Sequence, residues 1–424
     1  MIKKIQKRIP SRLAPFGVGA CLGGALLSAA PNLHAQDASA RMTKLEQENE
    51  ALRKRLEAIE TVAQKEGLVP SGGFKPAVRA LSEMQISGFV TASYFYDTSR
   101  PADGKSNGYL WNTTDNSFTL NKVKLTIASP VAERSGEKWT AGYRASLIWG
   151  EDAPVVNTGG EYQGFENLRE AYVELNAPLG TGLNIKAGQL ISLLNYESGD
   201  GGAVNANFSQ GYQWYYTGNG PSAGVQVGYT FADWIGVRAR VQNGIYAGAI
   251  DSNSGKAYMA SVDLKPAQDL WVNLIGFQSH ESDANSLMGG SVLAGYQVTK
   301  ALGLGFEFDY FSFDPDPAST KDIWSVGTWV TYDFAPSLGL AFRAEYLDDI
   351  DGYGINGVPF RGGQSISSPD ADGNLSSFTL TLNYKPVANV KIQPEIRWDH
   401  TSYKGGFDGH ESRFIVGAGV SYIF

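Results

Sequence analysis

From residue 84 to the C-terminus the chain repeats one pattern: segments in which apolar and polar residues alternate, joined by connections that are by turns short and long. Successive side chains of a strand point to opposite faces, so each such segment presents one apolar face and one polar or mixed face. Strands are expected near 84–96, 117–129, 138–149, 168–176, 183–190, 223–230, 235–246, 256–265, 271–280, 288–299, 303–313, 323–334, 338–348, 375–385, 390–402 and 411–424. In the last of them Phe414, Val416, Ala418, Val420, Tyr422 and Phe424 share a face, opposite Arg413, Ile415, Gly417, Gly419, Ser421 and Ile423. Short connections fall at 130–137, 177–182, 231–234, 266–270, 300–302, 335–337 and 386–389, and long ones include 97–116, 150–167, 191–222 and 349–374. A soluble sandwich has no reason to segregate its connections by length. An up-and-down sheet whose two ends face different compartments does, and closing it removes the unpaired edges. The expected fold class is an all-β membrane protein, an antiparallel transmembrane β-barrel of about 16 strands.

The composition fits. Charged residues are 18% and glycines number 50, a mixture suited to strands and turns. Beyond the N-terminus no run approaches the roughly 18 apolar residues that a membrane helix needs. Residues 1–35 read as a secretory signal, with Lys3, Lys4, Lys7, Arg8 and Arg12 ahead of an apolar stretch. The only cysteine, Cys21, lies inside it, so the exported chain would carry no disulfide. Export would leave 30 Lys+Arg against 43 Asp+Glu, a net charge of −13 that argues against nucleic acid as a partner. Residues 36–66 read as a coiled coil: Met42, Asn49 and Leu56 fall at one core heptad position and Leu45, Leu52 and Ile59 at the other. Residues 67–83 read as a linker, and 84–424 as the barrel.

With the apolar faces toward lipid, the other parity lines the lumen. It carries Lys122, Lys124, Arg144, Lys186, Arg238, Arg240, Arg343, Lys391, Arg397 and Arg413. Closure makes the chain ends neighbours, so Lys122, Lys124, Arg144, Arg343, Arg397 and Arg413 would form a basic wall over the seam. Glu170, Glu174, Asp263, Glu307, Asp309, Glu345, Glu395 and Asp399 also face inward. The two signs are comparable in number, which argues for a polar lumen more than for one ionic preference. Aromatics near strand ends, among them Trp139, Trp149, Trp234, Trp271, Tyr310, Tyr332, Tyr384 and Tyr422, suit interfacial girdles.

The short-turn meander, the closing Tyr422-Ile423-Phe424 and the stretch GQLISLLNYESGDGG…RVQNG at 188–244 resemble Gram-negative outer-membrane porins, and among them the OmpL-like barrel porins. The coiled coil ahead of the barrel also resembles phosphate-selective and dicarboxylate porins. The resemblance implies a water-filled channel for passive diffusion of small hydrophilic solutes and ions through outer-membrane lipid, with no cofactor. It further implies a homotrimer, a periplasmic coiled coil, and a C-terminal strand read by the barrel-assembly machinery through Tyr422 and Phe424. Loop 191–222 would fold inward, setting Glu197, Asp200, Asn205 and Asn207 at a constriction opposite the basic wall, with a transverse field across a wet aperture. Without the resemblance the same loop would simply project into solvent.

Two other readings within this architecture are an anion-specific channel and a barrel that anchors the envelope. Catalysis is not expected: after the signal only His280, His400 and His410 remain, with no nucleophile elbow, HExxH or P-loop. Asp348, Asp349 and Asp351, and Asp314 and Asp316, could approach a divalent cation in the outer loops, but they read more simply as solvated acids, and no metal is expected.

Overall fold

The computed structural model describes residues 47, 50–55, 58, 84–131, 138–156, 166–245, 248–251, 253–280, 286–316, 319–350, 352, 366, 368–370 and 372–424. The chain divides into two compact units, Met1–Arg79 and Ala80–Phe424. In the first, the described residues are helical and exposed, and Lys54 pairs with Glu50 one turn earlier at 2.9 Å. Leu52 is among them, exposed. Met42, Leu45, Asn49, Leu56 and Ile59 lie outside the described residues, as do 1–35 and 67–83.

The second unit contains sixteen strands among the described residues: β1 (Gln85–Asp97), β2 (Ser117–Ser129), β3 (Thr140–Trp149), β4 (Leu168–Ala177), β5 (Leu183–Leu190), β6 (Ser222–Ala232), β7 (Ile235–Gln242) and β8 (Ala257–Ala267). Then follow β9 (Leu270–His280), β10 (Ser286–Gln297), β11 (Leu302–Asp316), β12 (Ser319–Ala335), β13 (Leu338–Asp349), β14 (Gly373–Val387), β15 (Val390–Thr401) and β16 (Ser412–Ile423). Each pairs antiparallel with the next, and β1 pairs with β16 to close the barrel. At the seam Val90 faces Tyr422, and Gly88 and Phe424 exchange backbone hydrogen bonds of 2.8 and 3.0 Å. β11 and β12 run further toward the long-connection end than expected, because their ladder continues to Asp316↔Ser319.

Accessibility follows the alternation. On β16 Phe414, Val416, Val420 and Tyr422 are exposed on the outside, whereas Arg413, Ile415 and Ser421 are buried inside. The outer face is what lipid would cover. Trp139, Trp149, Trp234, Tyr310, Tyr332 and Tyr384 are also exposed. Trp271 departs from the girdle expectation: it lines an internal cavity, because its position on β9 has the inward parity of Asn273 and Ile275.

Two irregularities re-aim side chains. Thr91 pairs with Lys122 and Ala92 with Leu120, leaving Asn121 as an extra residue, so Asn121 and Lys122 are both buried. In β4 the register passes from Ser146↔Glu170 to Leu147↔Leu168, and Arg169 and Glu170 are both buried. Strict alternation would have sent Arg169 outward.

Inside the barrel, side chains pack closely where the long connections enter. Near the long-connection end many inward residues are apolar, among them Ile148, Phe277, Phe311, Ile323, Leu347, Leu375 and Ile415. They form one cluster with Tyr109, Trp111, Leu194, Phe208, Tyr212, Tyr215, Tyr216, Tyr403 and Phe407 from the long connections. Burying one such side chain contributes roughly 1.5–3 kcal/mol, so loop packing is a strong organising force here.

Candidate functional site

The 191–221 connection, between β5 and β6, lies against the inner wall. It includes a 3₁₀ turn at Gly201–Ala203 and a short helix at Tyr212–Tyr216. A loop removed from water must have its backbone groups satisfied, and here inward charges of both signs do so. Glu307 accepts from the backbone N–H of Tyr196 at 2.8 Å, Glu395 from Phe208 and Ser209 at 2.8 and 3.1 Å, and Glu345 from Gln213 at 3.1 Å. Among the cations, Arg343 donates to the carbonyl of Ser209 and Arg397 to that of Gln210, both at 2.7 Å. Lys391 donates to Gly202 and Asn205 at 2.9 and 2.5 Å, and Arg240 to Ile191 at 2.8 Å.

The loop's own acids complete the clasp. Glu197 accepts from Arg343 at 2.7 Å, from the Trp329 indole at 3.1 Å and from the backbone N–H of Gly211 at 2.9 Å. Asp200 accepts from Lys124 at 2.5 Å and lies 3.9 Å from Arg169. Burial pushes the Asp200 carboxyl up, but the Lys124 and Arg169 charges outweigh it and hold it below the usual range. Asn205 braces the loop internally through the Ser198 backbone, and Asn207 donates to Thr381 at 2.7 Å.

The sequence-predicted basic residues therefore separate into two sets. Lys122, Lys124, Arg343, Arg397 and Arg413 are buried against carboxylates: Asp152, Asp200, Glu197 with Glu345, Asp399, and Asp97 with Asp399, respectively. Arg397 also lies over the rings of Tyr109 and Tyr212, whose centroids are each 4.5 Å from its guanidinium. No wet aperture separates Glu197 or Asp200 from this wall, because both touch it directly; the expected transverse field there is replaced by contact ion pairs. Arg144 does not join the set. It pairs with Glu170 at 2.6 Å, and its side chain remains 37% exposed.

Arg238 and Lys186 belong to a second, wetter part of the wall, their side chains 27% and 28% exposed. Arg238 clasps Asp263 through two bonds of 2.7 and 2.5 Å, and Lys186 lies 3.6 Å from Glu174. Lys186, Glu174, Arg238 and Asp263 border a cavity of about 670 Å3 that also meets Asn176, Asn184, Gln226, Trp271 and Asn273. Residues of the short turns, Thr181, Gly182 and Asp233–Ile235, line it as well, which puts the cavity at the short-turn end. Near it Arg240 donates to Gln226, Gln242 and the Ile191 carbonyl. These partners are all uncharged, and among the described residues no carboxylate forms an ion pair with it.

Two contributors were missed from sequence. Arg169 was hidden by the β4 irregularity. Loop 98–116 enters the lumen too, with Tyr109 donating to Asp399 at 2.8 Å and the Trp111 carbonyl accepting from Tyr215 at 3.2 Å. Its aromatic run Tyr109-Leu110-Trp111 in a connection was the available signal. The acids weighed for a cation have other roles: Asp349 accepts from the Tyr403 hydroxyl and Asp348 from that of Tyr346, both at 2.9 Å, while Asp351 lies outside the described residues.

Comparison with known proteins gives a consistent picture. Residues 83–424 match the family described as putative beta-barrel porin-2, OmpL-like. No curated protein matches the chain. Among solved structures, the anion-selective porin from Comamonas acidovorans superposes with a TM-score of 0.54 at 12% identity, over 80% of this chain and 99% of that one. The outer membrane channel DcaP of Acinetobacter baumannii gives 0.51 at 15% identity, over 80% and 97%. A loop L8 deletion mutant of OmpT, an outer membrane protein of Vibrio cholerae, gives 0.52 at 12% identity, over 80% and 99%. At these identities the likeness is one of fold.

Proposed function

This chain belongs to the OmpL-like beta-barrel porin-2 family, outer-membrane barrels of Gram-negative bacteria, and we propose that it conducts small hydrophilic solutes and ions passively along the β4–β9 side of its lumen. The observation that carries this reading is the division of the inner wall. One side is consumed in holding loop 191–221, whereas the other borders a polar cavity of about 670 Å3. Loop 191–221 acts as the constriction, with Glu197, Asp200, Asn205 and Asn207 setting its position from the docked side.

Charge preference follows from what is left unneutralised. Arg343, Arg397 and Arg413 are matched by contacting carboxylates, so their fields are short-ranged. Arg240 beside the cavity is not so matched, and we assign to it a modest preference for anions. The remaining parts of the reading are export by residues 1–35, a periplasmic coiled coil at 36–66, a homotrimer, and Tyr422 and Phe424 as the signal to the assembly machinery.

The test is single-channel recording in planar bilayers under a salt gradient. Stepwise conductance is expected, with an anion-leaning reversal potential that moves toward zero in Arg240→Ala. The Arg343→Ala/Arg397→Ala double variant is expected to change conductance more than ion preference. Folded barrels that carry no current would refute the reading.

A further inference from the structure

We propose that the cavity at the short-turn end is a binding subsite for a neutral oligosaccharide, with Trp271 as its stacking platform. The inference rests on the channel reading for its purpose, but the site is argued from the cavity alone.

The first observation is charge balance. Lys186, Arg238 and Lys265 line the cavity together with Glu174, Asp233 and Asp263, three charges of each sign. Lys186 and Arg238 already have contacting carboxylates in Glu174 and Asp263. At Lys186 and Arg238 an anionic solute, and at Glu174 and Asp263 a cationic one, would have to break a pair, so this part of the lining favours a solute without net charge.

The second is the kind of polar group offered. Asn176, Asn184 and Asn273 each carry a donor and an acceptor on one planar amide, and Gln226, whose oxygen is taken by Arg240, adds a donor. Adjacent hydroxyls of a sugar ring have the same double character, whereas a carboxylate only accepts and an ammonium only donates. The paired carboxylates keep free lone pairs: Asn184 already donates to Glu174 at 2.7 Å, which shows how an uncharged donor enters such a pair.

The third is the aromatic surface. Trp271 lies over Gly295, where any Cβ would press into the indole, so the wall is cut back to admit the ring. Tyr196 of the inserted loop stands nearly parallel to it, with centroids 5.9 Å apart and planes at 11°, and Trp329 continues the series at 4.5 Å from Tyr196. Trp271 and Tyr196 are only partly buried. A flat ring beside convergent amides suits the C–H face of a pyranose, whose hydroxyls then point outward to the amides. The volume lies within the roughly 300–1,000 Å3 usual for ligand pockets, room for more than one sugar ring.

The measurement is isothermal titration calorimetry of maltotriose into the full-length protein folded in detergent micelles, which needs no ion current. Saturable binding is expected. Trp271→Ala should weaken it at least tenfold and Trp271→Phe by less, while Trp139→Ala, on the outer face, should leave it unchanged. Succinate and uridine should bind more weakly than maltotriose. The proposal is overturned if the folded wild-type barrel gives no saturable heat, if Trp271→Ala binds as wild type does, or if succinate or uridine binds more tightly. Conductance recorded on the same preparation separates the two readings: current without sugar binding removes only the subsite, and sugar binding without current removes only the channel.

Discussion

Arg343→Ala isolates what holds the inserted loop. In the folded barrel the guanidinium is fully buried, donates to Glu197 and to the Ser209 carbonyl at 2.7 Å, reaches Thr379 at 3.1 Å and lies 3.0 Å from Glu345. Alanine would leave both carboxylates buried without this cation. Removing one partner of a buried pair costs about 3–5 kcal/mol. Glu197 would keep Trp329 and the Gly211 amide, and Glu345 the Gln213 amide, which favours the lower end of that range. The strand ladders themselves lose no hydrogen bond, so the cost falls on loop docking. At about 1.4 kcal/mol per tenfold, some 3 kcal/mol is roughly a hundredfold in the docking equilibrium. Hydrogen exchange read by mass spectrometry should show the amides of Phe208, Ser209, Gly211 and Gln213 exchanging about a hundredfold faster, with β13–β16 ladder amides unchanged. Equal protection in wild type and variant would refute the assignment of Arg343 as the loop's anchor.

Further outcomes follow from other contacts. Gly419→Val places a side chain where the Phe208 ring lies; an overpacking cost of about 1–3 kcal/mol should expel that ring and expose the loop to chymotrypsin while the barrel stays folded. Ala418→Arg, on the outer face of the next residue back, should instead destabilise the barrel by about 2–4 kcal/mol if it meets the bilayer midplane, measured by urea titration in vesicles. In loop 150–167, burial and then the Asp152 charge push the Glu151 carboxyl up to about 7, against a weaker pull from Lys122. A raised carboxyl favours its neutral form, so its contribution to loop packing is greatest below about pH 4.5 and is lost as pH rises through about 7. Exchange at the Asn112 amide, which donates to Asp152 at 2.7 Å, should therefore accelerate from pH 5 to pH 8 beyond its intrinsic rise. Glu151→Gln should remove that excess, and parallel profiles would count against it.

The strands were legible because a period of two is a local property, written in residues such as Phe414, Val416 and Val420. The loop contacts were not, because they join residues far apart in the chain: Glu395 meets Phe208 and Ser209 across nearly the whole C-terminal half of the barrel. Parity correctly sent Arg343 and Glu345 inward, yet inward does not mean wet. The missing clue was the second apolar parity: Ile323, Leu347, Leu375 and Ile415 share the inner face with polar or charged residues of the same strands. Apolar side chains on a water-filled lumen would be costly, so their presence at the long-connection end implied that something packs there.

That asymmetry also dictates how variants should sort. Arg343, Arg397 and Arg413 on the docked wall are each held by a partner of opposite sign, and removing one weakens the loop before it alters the field. A charge beside the cavity, such as Arg240, has only uncharged partners, one of them the Ile191 carbonyl at the first residue of the loop, so removing it alters the field while costing the loop one hydrogen bond at its base. Arg343→Ala and Arg240→Ala thus remove the same chemical group from one barrel and should give opposite profiles, loop exchange shifted in the first and reversal potential in the second. If both variants moved both quantities equally, the lumen would not be divided between a docking wall and a conducting wall, and the path along β4–β9 would have to be abandoned.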